Sequence, residues 1–116
     1  MWPISARNIT QGYWVGHPGL DIGASEGSSV VASDRGTVTW AAWNTYCYGN
    51  LVVINHGNGF ETFYAHLSSI NVRAGQIVQK GQYIGGSGNT GCSSGPHLHY
   101  EIRYNTARDN PYNYLP

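Results

Sequence analysis

The sequence predicts a mainly β fold: a single small domain of antiparallel strands, arranged as a partly closed barrel. The chain has 116 residues, a length typical of one domain. Sixteen glycines and nine tyrosines, against one methionine, are typical of a turn-rich β protein. Short runs rich in Val, Ile, Thr and aromatic residues alternate with turn sequences, and no window sustains a helical period.

The strands are expected where β-branched and aromatic residues concentrate. Turn sequences such as DRG, HGNG, RAG and QKG separate them, because Gly, Asn and Asp readily adopt turn conformations. The sequence NHGNG between LVVI and FETFYAH predicts a hairpin. The expected strands are 29–32, 36–41, 50–55, 60–66, 77–78, 83–84 and 97–103, all within one domain of residues 1–116, and residues 104–116 are expected to form a terminal coil.

Composition argues against two classes of partner. Six Lys and Arg residues balance six Asp and Glu residues, and charged residues make up 10% of the chain. A protein that binds nucleic acid or an anionic membrane needs a basic patch, so we expect neither partner. No apolar run approaches the roughly 18 residues of a membrane span. The first residues, MWPISARNITQ, lack the charged-then-apolar pattern of a secretory signal.

The two cysteines are expected to form a disulfide. Cys47 lies in TYCYGN and Cys92 in NTGCSSG, and these polar, Gly-rich contexts favour a disulfide over two buried thiols. Such a bond would close a loop of about 45 residues. Because disulfides persist outside the cytosol, we expect a protein located outside the cytosol.

Two histidines in GPHLHYE raise the possibility of a metal site. His97 and His99 would project from the same face of a strand, since side chains two residues apart do so. Each imidazole carries a polar nitrogen that needs a partner when buried. A metal ion would supply that partner for one or both rings.

The stretch HPGLD offers two further ligands. Pro18 and Gly19 disfavour a helix, so the chain is expected to turn there and to enter a strand at Leu20. This turn would bring the side chains of His17 and Asp21 close to a common position. Taken alone, a histidine before Pro-Gly is more often a solvated turn residue. A zinc site that does chemistry usually has three protein ligands, so the His-x-His pair and HPGLD together strengthen the metal hypothesis.

Three motifs in order resemble a known family. They are His-x-x-x-Asp at 17–21, Tyr-Ala-His-Leu at 64–67 and Gly-Pro-His-Leu-His-Tyr-Glu at 95–101. Together with GLDIGASEGSSVVASDRGTV and YGNLVVINHGNGFETFYAHLS, they resemble the lysostaphin-type, LytM-like zinc endopeptidases of peptidoglycan. The resemblance runs from about Trp2 to Arg103. Tyr100 stands where Phe is commoner and Ser94 where Thr is commoner, and neither change touches an implied ligand.

The resemblance implies a role for each matching position. His17, Asp21 and His99 would bind Zn²⁺, and His66 and His97 would be two catalytic histidines that do not bind the metal. The implied fold is mainly antiparallel β, with the active site in a groove. The implied substrate is the peptide part of bacterial peptidoglycan, cut in a stem peptide or a cross-bridge, and we expect a monomer. Together with the expected disulfide, the resemblance implies an extracellular, cell-wall-associated or periplasmic protein.

The chemistry of these residue types agrees with that implication. One aspartate and two neutral histidines leave a net positive charge at a divalent ion, which lowers the pKa of a bound water that would attack the scissile carbonyl. The H-E-x-x-H motif with its glutamate base is absent. Histidine can replace that base because its pKa lies near neutral pH. Strand alternation is expected to place His66 on the same face as Thr62 and Tyr64. The sequence leaves open which of His66 and His97 is the base.

Other candidates have two interpretations each. Glu101 is expected either to hold a ligand imidazole or to form an ion pair, for example with Arg103. His56 is interpreted as a hydrogen-bonding residue of the NHGNG turn. Four aromatic residues either line a substrate groove or contribute to packing: Tyr13, Trp14, Trp43 and Tyr46.

Two alternative functions compete with the peptidase. One is a non-catalytic relative that binds cell wall or activates another hydrolase, but all three implied ligands and both catalytic histidines are present here. The other is a biotinyl- or lipoyl-carrier-like domain, suggested by the regular spacing of apolar residues and glycines in VRAGQIVQKGQYIG. The carrier interpretation is weaker because Lys80, the one lysine, lies inside that repeat and not at an evident hairpin tip.

Overall fold

The structure is a computed structural model that describes residues 1–14 and 16–116. Nearly all regular structure in these residues is β, with one 3-10 turn at Pro111–Asn113. The fold class predicted from the sequence, a small domain of antiparallel strands, is confirmed. The strands are β1 (Asn8–Gln11), β2 (Leu20–Gly23), β3 (Ser29–Val31), β4 (Gly36–Asn44), β5 (Gly49–Gly57), β6 (Phe60–Leu67), β7 (Ser69–Ile70), β8 (Ile77–Val78), β9 (Tyr83–Gly86), β10 (His97–Tyr104) and β11 (Ala107–Asp109).

Two antiparallel sheets organise the molecule. The larger sheet has the order β1-β2-β10-β6-β5-β4-β8, with β11 added beside β10, and the smaller has the order β3-β9-β7. The three sequence motifs therefore lie on or directly before neighbouring strands, because β10 pairs with β2 on one side and with β6 on the other. This strand order brings residues from distant parts of the chain to one place.

The strand β10 separates the hydrophobic core from a polar face. Leu98, Tyr100 and Ile102 point into the main core, where all three are at most 5% exposed. The alternate residues, His97, His99 and Glu101, face the opposite side of the sheet, as period-two alternation requires. The core is completed by buried residues of both sheets: Ile4, Leu20, Ile22, Val30, Ala32, Val38, Val52, Ile54, Tyr64, Leu67, Val78 and Ile84.

The hairpin predicted at NHGNG is present between β5 and β6. Asn58 and Gly59 form its tip with φ angles of 53° and 86°. Positive φ at both central positions is the signature of a type I′ turn, which matches the twist of the flanking strands and favours the dipeptide Asn-Gly.

The prediction of a terminal coil for residues 104–116 is wrong for Tyr104, which ends β10, and for Ala107–Asp109, which form β11. Asn105 and Thr106 both adopt positive φ, 48° and 69°, and reverse the chain so that β11 pairs with β10. Asparagine tolerates this conformation, but threonine is β-branched and seldom adopts it, so the pair Asn-Thr is only a weak turn signal. The strands β1 and β7 were also not predicted, because β1 has three polar residues among its four and β7 is only two residues long.

The expected disulfide between Cys47 and Cys92 is formed. It joins the loop between β4 and β5 to the loop between β9 and β10, and the Cys92 amide also donates to the Cys47 carbonyl at 2.9 Å. No helix in residues 1–14 or 16–116 is long and apolar enough to cross a membrane.

Reduction of this disulfide should lower the free energy of unfolding by about 2–4 kcal/mol, because the unfolded chain regains the freedom that the cross-link removes. Urea unfolding with and without a phosphine reductant measures the change. The variant Cys47→Ser/Cys92→Ser is the matched control: it should unfold at the midpoint of the reduced protein and should not respond to reductant. Equal midpoints for the oxidised and reduced protein would contradict the prediction.

Candidate metal centre

Three side chains with metal-binding atoms meet where β2 lies beside β10. One donor atom from each of His17, Asp21 and His99 lies within 4.8 Å of the other two. The Nε2 atom of His17 is 3.1 Å from Oδ2 of Asp21, and the Nδ1 atom of His99 is 2.7 Å from Oδ1 of Asp21. The fold thus brings together the three positions that the sequence analysis assigned to the metal.

The backbone around these residues explains their convergence. The β2–β10 register sets Asp21 directly opposite His99. His17 precedes β2 and exchanges two backbone hydrogen bonds with Trp14, of 2.8 and 3.1 Å. Gly19 passes so close to β10 that a Cβ atom would collide with the Tyr100 carbonyl oxygen. Glycine is therefore required in the turn that returns the chain from His17 to β2.

Hydrogen bonds on the outer nitrogens fix which atom of each ligand imidazole faces inward. The Nδ1–H of His17 donates to the Gly12 carbonyl at 2.9 Å, which leaves Nε2 for the cluster. The Nε2–H of His99 donates to a Glu101 carboxylate oxygen at 2.8 Å, which leaves Nδ1 for the cluster. A carbonyl or carboxylate can only accept, so these contacts select one tautomer of each ring, as outer partners of metal-binding histidines commonly do.

Contacts within the cluster strongly shift the pKa values of Asp21 and His99. Burial alone would raise the pKa of Asp21, but the imidazoles of His97, 3.5 Å away, and His99, 2.7 Å away, outweigh it and lower that pKa well below its usual range. Burial would likewise lower the pKa of His99, but hydrogen bonds to Asp21 and Glu101 outweigh it and raise that pKa to about 9. Without a metal, His99 therefore carries a positive charge between two carboxylates.

His66 and His97 lie beside the cluster. The His66 ring centroid is 4.8 Å from that of His97 and 5.8 Å from that of His99. Each Nδ1–H donates to a backbone carbonyl, that of Thr90 at 2.7 Å for His66 and that of Gly95 at 2.8 Å for His97. Burial lowers the pKa of His66, whereas the Asp21 carboxylate, 3.5 Å from Nε2, raises the pKa of His97. When neutral, both rings keep an unprotonated Nε2 atom.

Strand alternation predicted the wrong face for His66. Tyr64 points into the core and packs against Tyr100, with ring centroids 5.5 Å apart, whereas His66 lies on the opposite face with His97 and His99. His66 has a φ angle of 62°, and the pairing register of β5 and β6 shifts at the same point. This bulge-like irregularity turns the imidazole to the polar face.

Glu101 fulfils both roles that the sequence analysis considered. Its side chain is 0% exposed. It accepts from His99 and forms an ion pair with Arg103, whose Nη2 atom lies 2.8 Å away. It also accepts from the Tyr48 hydroxyl at 2.6 Å. Burial alone would raise its pKa, but the hydrogen bonds from His99, Tyr48 and Arg103 lower it to about 2. The carboxylate is therefore charged at neutral pH.

A groove of about 390 Å³ contains all five predicted site residues. It is further lined by Gln11, Pro18, Tyr46, Tyr48, Ser93 and Arg108, among others. Tyr46 is thus the one of the four aromatic candidates that lines the groove in the part of the chain that the structure describes, and it is 80% exposed. Trp14 and Trp43 are exposed outside it, and the Tyr13 hydroxyl donates to the Arg108 carbonyl at 3.3 Å.

Some functional contacts were not evident from the sequence. Thr90 acts through its carbonyl, Tyr48 lies next to a cysteine in a turn, and Arg108 lies in the segment expected to be coil. His56 stays outside the site: its ring bonds the Arg35 carbonyl at 2.8 Å and the Thr62 hydroxyl at 2.7 Å, which agrees with its interpretation as a structural residue.

The donor set fits a zinc ion. Two imidazole nitrogens and one carboxylate oxygen are ligands that zinc prefers, and three protein ligands leave room for a water. The outer nitrogen of each histidine is already hydrogen-bonded, so His17 can bind an ion through Nε2 without a change of tautomer, and His99 can do so through Nδ1 once the proton on that atom is released.

A family model for peptidase family M23 matches residues 15–111. The chain belongs to peptidase family M23. The resemblance to lysostaphin-type enzymes found in the sequence motifs is thereby confirmed, because the solved structures of this fold include lysostaphin itself.

Two curated relatives of this M23 domain carry different descriptions. It is 47% identical over 98 residues to "DD-carboxypeptidase/endopeptidase Mpg" of Neisseria meningitidis serogroup B, a match covering 84% of this chain and 22% of the relative. It is 42% identical over 120 residues to "Murein hydrolase activator NlpD" of Escherichia coli K12, covering 99% of this chain and 31% of the relative. The chain therefore spans about a fifth to a third of the length of these relatives.

Solved M23 structures share the fold. The catalytic domain of the antimicrobial peptidase lysostaphin from Staphylococcus simulans has a TM-score of 0.83 at 31% identity, covering 96% of this chain and 91% of that one. A zinc-containing peptidase from Vibrio cholerae has a TM-score of 0.88 at 33% identity, covering 94% of this chain and 37% of that one. The match therefore includes nearly the whole of the lysostaphin catalytic domain.

Zinc affinity should rise with pH up to about 9, because the ion and a proton compete for Nδ1 of His99, whose pKa is raised to about 9 in the metal-free cluster. Below that value the apparent affinity should fall about tenfold per pH unit, and binding at neutral pH should release about one proton. Titration calorimetry in two buffers of different ionisation enthalpy counts the released protons.

The matched control for this competition is Glu101→Gln. The introduced glutamine keeps a hydrogen-bond acceptor but removes the negative charge that helps to raise the His99 pKa. The pH range over which zinc affinity rises should therefore shift to lower pH. An affinity that is constant between pH 7 and 9 in the unsubstituted protein would contradict the prediction.

Proposed function

We propose that this domain is a zinc-dependent endopeptidase that hydrolyses peptide bonds in the stem peptides or cross-bridges of bacterial peptidoglycan. The observation that supports this most directly is the convergence of His17, Asp21 and His99 within one groove that also holds His66 and His97. Membership of a peptidase family supplies the reaction class. The names of two relatives, a DD-carboxypeptidase/endopeptidase and a murein hydrolase activator, point to peptidoglycan as the substrate.

In this proposal His17, Asp21 and His99 hold the ion. A bound zinc ion would lower the pKa of a water molecule and polarise the scissile carbonyl. Asp21 contributes the single negative charge of the donor set, so the ion would keep net positive charge. Glu101 holds His99 in the tautomer that turns Nδ1 inward.

His66 and His97 move the protons. Hydrolysis requires one group to accept a proton from water and another to deliver a proton to the leaving amine. Both rings are anchored through Nδ1 to a backbone carbonyl, so each presents Nε2 for proton transfer. The two imidazoles supply the acceptor and the donor in place of the glutamate found in H-E-x-x-H peptidases.

A non-catalytic role is the second candidate, because the chain is 42% identical to a protein named as a murein hydrolase activator. Retention of three metal donors and two further histidines in one groove favours the enzyme. The disulfide between Cys47 and Cys92 supports action outside the cytosol, where peptidoglycan lies.

Chelator-sensitive digestion of peptidoglycan tests the proposal. Purified, dye-labelled cell wall should release dye when treated with the zinc-loaded protein, lose that release in excess EDTA, and regain it when zinc is restored. Mass spectrometry of the products identifies the bond that is cut. If the zinc-loaded protein cleaves no wall type but stimulates a separate murein hydrolase, the activator function replaces the enzyme.

Alanine variants should separate the two kinds of histidine. His99→Ala should lose both zinc and activity, because it removes a donor atom. His66→Ala and His97→Ala should retain zinc while activity falls at least about 100-fold, the lower end of what acid–base groups contribute. Zinc content by atomic absorption and dye release from cell wall check both statements. A zinc-free His97→Ala beside a zinc-replete His99→Ala would reverse the two assignments.

A further inference from the structure

The acceptor positions of the buried Glu101 carboxylate are fully used. An ionised carboxylate has about four lone-pair positions. Arg103 occupies two positions on Oε1 through Nε at 3.0 Å and Nη2 at 2.8 Å. Tyr48 and His99 occupy two positions on Oε2 at 2.6 and 2.8 Å. One arginine therefore neutralises Glu101, with two hydrogen bonds that help to satisfy the carboxylate.

Arg108 lies next to this saturated carboxylate as a second cation. Its Nε atom is 3.5 Å from Oε1 of Glu101, longer than the roughly 2.7–3.2 Å of an ordinary N–H···O hydrogen bond. Its side chain is 46% exposed, and it is the one Lys or Arg among the described residues that line the groove. Arg108 therefore brings positive charge into the groove without being required by Glu101.

The position of Arg108 also carries an electrostatic cost that an anion would offset. Arg108 is the direct cross-strand partner of Arg103 in the β10–β11 ladder. Like charges directly opposite each other in a sheet are destabilising. Asp21 is assigned to the ion, and Glu101 is shared by the two arginines: Arg103 donates two hydrogen bonds of 2.8 and 3.0 Å, whereas Arg108 makes one longer ion-pair contact of 3.5 Å. The exposed guanidinium of Arg108 is therefore only partly neutralised and can take a second anion from the groove.

We propose that Arg108 binds a free carboxylate of the substrate, on the residue that supplies the leaving amine. This inference rests on the proposed peptidase function. The planar guanidinium matches a carboxylate with two parallel hydrogen bonds. Arg108 lines the same groove as His17, Asp21 and His99, and it adjoins Glu101, which holds His99. A carboxylate bound by Arg108 would therefore occupy the same groove as the reacting bond. An α-carboxylate can lie next to a scissile bond only on its leaving side, because on the acyl side that carbon is the scissile carbonyl itself.

This assignment divides the peptide bonds of peptidoglycan into two classes. In a terminal D-Ala-D-Ala bond, the leaving amine belongs to a residue with a free α-carboxylate. The same holds for a cross-link from D-Ala to diaminopimelate, whose reacting carbon carries both the amine and a carboxylate. Inside a glycine cross-bridge, the corresponding carboxyl group is already an amide and is uncharged. Arg108 therefore favours the first class over the second.

Paired peptides test the role of Arg108. The zinc-loaded protein is given a stem peptide ending in D-Ala-D-Ala with a free carboxylate, the same peptide as its C-terminal amide, and an N-acetylated pentaglycine amide. The free acid should be preferred over the amide by roughly 10- to 100-fold in kcat/KM, the range expected for one charge-assisted pair. Arg108→Gln should abolish that preference, mainly because kcat/KM on the free-acid peptide falls. Arg108→Lys should keep part of the preference.

Lys80→Gln is the matched control, because it removes one positive charge from an exposed turn outside the groove. Lys80→Gln should leave unchanged the ratio of kcat/KM on the free-acid peptide to kcat/KM on its amide. Circular dichroism and zinc content confirm that each variant is folded and loaded. Equal rates on acid and amide, preference for pentaglycine, or an unchanged ratio in Arg108→Gln would overturn the inference while leaving the peptidase function standing. If the protein cleaves none of these peptides and no cell wall, the proposed function fails and the inference fails with it.

Discussion

The antiparallel pairing of β2 with β10 is the constraint on which the site depends. It sets Asp21 opposite His99 across the sheet and carries His17 to the same point through a turn in which Gly19 has no room for a side chain. Because backbone hydrogen bonds fix this register, a shift by one residue would turn His99 into the core and Leu98 onto the polar face. The burial of Leu98 and Tyr100 in the core therefore holds the donor atoms in place.

The polar face of β10 is stabilised as one connected charge network. Glu101 is fully buried, and a buried unpaired carboxylate would cost several kcal/mol. Tyr48, Arg103 and His99 together satisfy it, and the Arg103 guanidinium also stacks over the Phe63 ring at 3.8 Å. The network contributes orientation more than stability, since well-packed apolar residues could replace a buried ion pair at no net cost. Its main effect is the fixed direction of the His99 ring.

Much of the fold and of the site could be predicted from the sequence. Period-two patterning located the central strands, Asn-Gly marked the hairpin, and the three motifs gave the five residues that converge in the groove. The features that could not be predicted from the sequence have physical causes. His66 faces the site because of a backbone irregularity that no residue pattern predicts. The strand β11 depends on a turn made by Asn105 and Thr106. Thr90 contributes a carbonyl oxygen, a group that every residue possesses.

The left-handed backbone at His66 restricts which amino acids this position can accept during evolutionary drift. For most L-residues this conformation costs roughly 1–2 kcal/mol, whereas Gly, Asn and Asp tolerate it. A descendant that abandons proton transfer would therefore most readily carry one of these three residues here, and a valine or isoleucine would distort the bulge. Position 66 is therefore subject to two constraints at once, one from chemistry and one from backbone geometry.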